Sequence, residues 1–410
     1  MIALSDALSR GRNNFDLVRL VAALAVVFGH SYVLQWPAGQ HDPVSMFFGR
    51  ESSGSLGVFA FFLLSGMLIS ASYDRQRSAP RFLALRLARI WPALAVCSLL
   101  AAFVVGPLFT TWPISAYFNS PTTWFFVVHM LTVVKGLGWL LPGVFEHNPF
   151  AGAINAAIWT LPLELKCYLV VLVAGLLGWV STRRGMTIAV IATSIGFAYL
   201  LRHPPTFILF ADITVLQAGY AFWPVPFFLL GMLLYAWRDH VALHGALAFA
   251  FLVAYLGLRD TFAGPVLFYI AFTYGVLWVG TTPLLHRFAP RNDYSYGIYV
   301  YGFVIQQCLA SMAPTLNHWL AFLTVLPVVF ACAYFSWHCV EKPALAACRK
   351  LVARRGRATR VTEPDTVEKV EHVGAAGAAA SVLTPVLTPA ATPAMASVAA
   401  PADTPALTRQ

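Results

Sequence analysis

Eleven stretches of this chain are almost wholly apolar: near residues 17–36, 55–72, 82–106, 123–142, 153–180, 186–201, 221–236, 241–258, 264–280, 294–312 and 319–339. Most reach the roughly eighteen residues that a helix needs to cross the hydrocarbon of a bilayer. Across all 410 residues, 59% are hydrophobic and only 11% charged, and the mean hydropathy is +0.70. Soluble domains carry about a quarter charged residues. A chain this apolar cannot cover its surface with polar groups, so lipid is its solvent. The fold class predicted is all-α, a polytopic membrane protein.

Charge decides how many stretches span. The formal net charge of +10 would suit nucleic acid, but most Lys and Arg sit in short clusters between apolar stretches. That is the pattern of cytoplasmic loops, and it argues against a nucleic-acid partner. Arg10 and Arg12 place the N-terminus inside, and Arg75, Arg77 and Arg81 place the connection after the second stretch inside as well. If 123–142 spanned, Arg183-Arg184 and the basic run from Arg349 to Arg360 would fall outside. If it does not span, every basic cluster returns inside. His129, Lys135 and three glycines in that stretch suit an interfacial or re-entrant segment. The expectation is therefore about ten transmembrane helices with both termini cytoplasmic. The run from Leu17 to Leu34 carries Arg19 and His30 and precedes no small-residue cleavage site, so it reads as a retained first helix rather than a signal peptide.

Two regions read as domains: a membrane domain over residues 1–355, and an Ala/Pro/Thr-rich tail over 356–410 expected to be a disordered cytoplasmic extension. The six cysteines form no CxxC pair, so neither a disulfide framework nor a metal site is implied.

Ionisable groups inside spans are costly, and they mark function or structural pairing. Arg19 and His30 lie eleven residues apart, which on a helix is roughly 16 Å in depth and close to three turns, so they share a face. Arg19 then sits at the cytoplasmic edge and His30 in the outer half. Taken alone, Arg19 reads as snorkelling and His30 as bonding a neighbouring backbone. Arg86 and Arg89 are three apart at the cytoplasmic end of the third stretch, on one face. Three arginines from two helices meeting there would make an anion site suited to a phosphate-rich guest. Glu164, in "WTLPLELKCYL", falls near the start of a span entered from outside, at a depth comparable with His30. It could then fix the tautomer of that imidazole. Lys166 points to another face, so a Glu164–Lys166 pair is not expected. Pro162 can open the local backbone and leave carbonyls free. Ser65-Gly66 is a small pair that lets a helix approach closely, and nothing local supplies Ser65 with a base or an oxyanion hole.

These segments, in this order, resemble the membrane-bound acyltransferase-3 family, which includes O-acetyltransferases of bacterial surface polysaccharides. The resemblance runs along most of residues 12–345. It rests on Arg19-x10-His30, "FFLLSGMLI", Arg86-x-x-Arg89, "WTLPLELKCYL", "DYSYGIYVYGFVI" (293–305) and the closing "EKP" at Glu341 to Pro343. The family often carries a second histidine where this chain has Tyr301 or Gly302, which leaves that histidine without a counterpart. The extra soluble esterase-like domain of some relatives is also not found.

The resemblance implies transfer of an acyl group, acetyl above all, from cytoplasmic acyl-CoA to a hydroxyl of an extracytoplasmic glycan, free or lipid-linked, at the cell inner membrane, without a metal. Arg19, Arg86 and Arg89 would hold the phosphates of acetyl-CoA or another acyl-CoA. His30 would act as general base or as an acylated relay, and Glu164 would orient it or bind the acceptor. Ser65, Tyr294, Ser295 and Tyr299 are further candidates to line the acceptor site or cavity. The alternative is a transporter or flippase of a lipid-linked sugar. Such proteins show inverted repeats or broken helices in matching halves, whereas the ionisable groups here crowd into residues 16–170.

Overall fold

The computed structural model describes residues 2–8, 13–37, 42–48, 51–133, 140–205 and 220–361, with side chains to residue 354. The 356–410 tail, apart from a helical backbone reaching Val361, and the Arg10/Arg12 pair lie outside the described residues. The chain is all-α. Its main helices are α1 (Phe15–Leu34), α2 (Ser53–Gln76), α3 (Ala79–Leu100), α4 (Pro121–Thr132), α5 (Thr160–Leu176), α6 (Arg183–Arg202), α7 (Pro224–Ala236), α8 (Gly245–Leu258), α9 (Gly264–Thr281), α10 (Ser295–Met312), α11 (His318–Phe335) and α12 (Lys342–Val361). The described strands are two-residue pieces that pair antiparallel, Ile2 opposite Leu243.

Among the described residues, seven helices are long and apolar enough to cross a membrane, and the chain is a multi-pass membrane protein. α7 and α8 are apolar but shorter, and α10 is long but diluted by Tyr, Gly and Gln. The 123–142 stretch supplies only the twelve-residue α4, and residues 134–139 of it lie outside the described part.

Contacts between connections sort the helix ends into two groups. At one end, Tyr73 packs on Gly175, Asp74 accepts from Ser181 and Tyr235, and Asn14 donates to the Val279 and Thr282 carbonyls. At the other, Trp36 donates its backbone N–H to Pro314, Arg259 bonds the Phe47 carbonyl, and Glu51 accepts from Ala221 and Phe222. The first group carries the basic connections around Arg77, Arg183 and Arg238.

Close packing follows from small residues. A Cβ on Gly66 would lie 2.0 Å from the Phe228 carbonyl oxygen, and one on Gly231 only 2.2 Å from that of Leu63. Glycine at both positions lets the α2 and α7 backbones touch, which is how helices associate where lipid offers no hydrophobic drive. Gly29 and Gly57 do the same between α1 and α2, against Gly54 and the Ala22 carbonyl.

Candidate active site

Arg19, Arg86 and Arg89 do converge. They line a cavity of about 290 Å³ between α1, α2, α3, α5 and α10, together with Ser65, Glu164, Tyr168, Asp293, Tyr299 and Arg349. Four arginines face two carboxylates on its wall. The volume is at the low end for a ligand pocket, enough for an extended arm or a phosphate group but not for a whole nucleotide.

The arginines differ in their commitments. Asp293, just ahead of α10, accepts from Arg19 Nη1 and from Arg89 Nη2, both at 2.6 Å on Oδ2. Its other oxygen takes the Ser295 hydroxyl and backbone N–H. Burial opposes ionisation of Asp293, but the two guanidiniums and the Ser295 bonds outweigh it and hold its carboxyl at about 2. Arg89 Nη1 also reaches Glu341 Oε2 at 2.9 Å, and Ser336 donates to the second oxygen of Glu341 at 2.9 Å. Tyr296 and Trp337 lie 5.4 and 5.6 Å from the Arg89 guanidinium, within cation–π range. Arg89 is thus saturated.

Arg86 is not. No ion pair among the described residues reaches it, and its buried Nε has no partner. Glu164 and Tyr168 lie within electrostatic range. Arg349, on α12, lines the same cavity, again without an ion pair among the described residues.

Asp293 and Glu341 are the charge partners of these arginines that the sequence does not announce, although both fall in the motif segments. A carboxylate 274 residues from Arg19 leaves no local signature. They also correct the expectation that ionisable groups crowd into residues 16–170, since the charge of the late helices is folded back onto the early ones. Glu341 closes a π-helical stretch, Ser336–Glu341, between α11 and α12. This stretch presents Trp337 and Glu341 to the Arg89 guanidinium, a recurrent use of such segments.

Glu164 lies in this cavity, where it accepts from Tyr168 and, at 3.4 Å, from Ser65. It is not beside His30. No charged side chain among the described residues lies within electrostatic range of the His30 ring, so the expected Glu164–His30 pairing is corrected. The reason is helix register. Thr160 meets Tyr299 at 2.6 Å, Glu164 lies one turn further inward on α5, and the partner of His30 is Phe303, one turn further outward on α10. Each turn is about 6 Å, so the two groups stand roughly 12 Å apart in depth.

Lys166 lines a separate groove between α5, α6 and α7. Pro162 falls in the first turn of α5, where a missing N–H costs little, and the Ala157 carbonyl just ahead is taken by the Tyr299 hydroxyl. Ser65 lines the cavity while its neighbour Gly66 does the packing. Ser295 caps Asp293. Tyr294 stands apart, stacked near Tyr334 and His338 with its hydroxyl accepting from Asn292.

His30 sits where α1 meets α2 and α10. Its ring contacts Phe303 edge-on at 5.1 Å, and its buried Nδ1 has no partner among the described residues. A Cβ on Gly302 already lies 2.9 Å from Val27, so a bulkier side chain there needs the helices to shift.

Arg19, Arg86 and Arg89 thus line one cavity, and His30 lies three turns further along the helix that carries Arg19. The family's sequence model, described as an acyltransferase domain, matches residues 12–338. The chain belongs to the acyltransferase 3 family. This acyltransferase is 29% identical over 346 residues to a protein named O-acetyl transferase from Shigella phage Sf6, covering 80% of this chain and 95% of that one. It is 30% identical over 369 residues to Nodulation protein 10 of Rhizobium leguminosarum bv. viciae, covering 84% and 96%. No solved structure matches it. Among the described residues no group of His, Cys, Asp and Glu is arranged to hold a metal ion.

Proposed function

We propose that this acyltransferase moves an acetyl group from acetyl-CoA, bound at the cytoplasmic face of the inner membrane, to a hydroxyl of a surface or exopolysaccharide sugar on the far side. The observation that carries this reading is the cavity with cations left over. Arg19 and Arg89 are bound up with Asp293 and Glu341, so Arg86 and Arg349 are the guanidiniums offered to the donor's phosphates. The acetyl choice follows the phage relative's printed name.

A pantetheine arm threading outward from the arginines passes Ser65, Glu164 and Tyr299 towards His30. His30 takes the proton of the sugar hydroxyl, the resulting oxygen nucleophile attacks the thioester carbonyl, and the CoA thiolate leaves inward. Direct transfer needs one base and no covalent intermediate. Glu164, distant from His30, is assigned to the donor arm through Ser65 and Tyr168. Ten spans with the basic clusters inside, as the charge bias of the sequence predicts, would give this polarity. A flippase has no comparable support, because it would not need guanidiniums left without an ion pair in a buried cavity.

The test is His30→Ala in the purified, correctly inserted protein. Transfer from labelled acetyl-CoA to the glycan should fall by about 10²-fold or more, the range of general base catalysis, while acetyl-CoA binding is kept. Normal transfer overturns the assignment, and label retained covalently on His30 overturns direct transfer in favour of a relay.

A further inference from the structure

Two buried polar atoms without partners belong to side chains at the α1–α10 junction. One is His30 Nδ1 and the other is Gln306 Oε1. Gln306 is 3% exposed and lies on α10, one turn beyond Phe303, whose ring touches His30. Its Nε2 donates to the Val27 carbonyl at 2.7 Å, on the turn of α1 just before His30. A helical side chain leans back over the turn preceding its own Cα, so the His30 ring lies over the backbone that Gln306 grips. An amide is also the right chemistry: its N–H₂ is engaged, which leaves the oxygen as a pure acceptor.

We propose that Gln306 is the positioning residue for His30, its Oε1 accepting Nδ1–H and so keeping Nε2 unprotonated and aimed at the sugar hydroxyl. Fixing the second ring nitrogen is how proteins set an imidazole tautomer. Catalytic hydrogen bonds that are long in the free enzyme tighten in the complex, and a small adjustment of the His30 ring and the Gln306 side chain would close this one. The other titratable groups at the junction are occupied. His318 Nδ1 meets the Ser31 carbonyl at 3.1 Å and stacks on Tyr32, and Asp42 accepts from the backbone N–H and hydroxyl of Ser53. None of them competes for Nδ1. An orphaned donor in a buried site costs free energy comparable to a lost hydrogen bond, and this pairing removes two such orphans together.

The inference rests on His30 being the base, and the experiment separates the two. In the full-length protein, kcat and the KM for acetyl-CoA are measured against pH for Gln306→Met and Gln306→Glu. Met fills the space without an acceptor, and kcat should fall roughly 10–100-fold, as for other residues that orient a functional group, with KM unchanged. Glu restores an acceptor and adds negative charge, so activity should return in part and the acidic limb of the kcat profile should move to higher pH. If Gln306→Glu is active with an unmoved limb, or Gln306→Met keeps wild-type kcat, Gln306 only ties α10 to α1 and the proposal is overturned. If His30→Ala keeps its activity, the base assignment fails whatever the Gln306 variants do. Should Gln306→Met not fold, the limb of Gln306→Glu alone decides.

Discussion

Replacing Asp293 by asparagine keeps the shape of the buried charge network but removes the anion at its centre. The wild-type carboxylate accepts from two guanidiniums at 2.6 Å and is 13% exposed. At an effective dielectric constant near 20, each pair is worth about 4 kcal/mol of attraction before desolvation. Desolvation of the three groups consumes most of that, so the ledger of the intact network is near balance. Breaking it is different, because Arg19 keeps no hydrogen-bonded carboxylate, only the more distant charge of Asp16, and Arg89 keeps only Glu341. Loss of one member of a buried pair typically costs about 3–5 kcal/mol. Asparagine also turns an amide N–H₂ towards donors. Heating the detergent-solubilised protein and following the folded peak by size-exclusion should show a fall of about 5 °C or more. Adding Arg19→Gln to Asp293→Asn should recover part of it by removing the stranded charge. A surface ion pair would be worth about 1 kcal/mol at most, so a single variant melting like the wild type refutes the buried-network reasoning. The pH dependence has a definite sign: a carboxyl depressed to about 2 adds stability above the ordinary carboxylate range, and that stability is lost as pH falls from about 4 towards 2.

Arg86→Ala should raise the KM for acetyl-CoA by roughly tenfold or more, the value of a charge-assisted hydrogen bond, with little change in melting temperature. Arg89→Ala should instead lower stability, and equal KM effects of the two would remove the distinction between the guanidinium offered to the donor and the one that carboxylates hold. Glu51 tests the outer end. Fully buried, it accepts from the Ala221 and Phe222 backbones on one oxygen, and burial pushes its carboxyl up to about 7 despite the Ser55 hydroxyl and those two bonds. A raised folded value means its stability is complete below the unfolded value near 4.5 and is lost as pH rises through 7, roughly 3 kcal/mol at most. Glu51→Gln should therefore raise the melting temperature at pH 8 and not at pH 5, and an equal gain at both would show that Glu51 does not titrate.

The helices were largely legible from the chain alone, because a bilayer imposes one simple requirement, a long apolar run, that most of the stretches meet locally. The basic clusters likewise announced which ends belong together, since the bias acts loop by loop. Arg19, Arg86 and Arg89 could be grouped because two spacings of three and eleven residues put each set on one helix face. What the chain alone could not decide was who neutralises whom. Asp293 and Glu341 reach the arginines across 204 to 274 residues of sequence, and only the packing of α1, α3, α10 and the π-helical stretch brings them within hydrogen-bond range. Glu164 was misplaced for the same reason. Its depth depends on the register of α5 against α10, fixed by Thr160 and Tyr299, and register between helices is a property of interlocking surfaces rather than of either sequence. Folding thus turned three apparently equivalent arginines into two that carboxylates hold and one with no ion pair among the described residues, and it put Glu164 in the arginine cavity rather than beside His30.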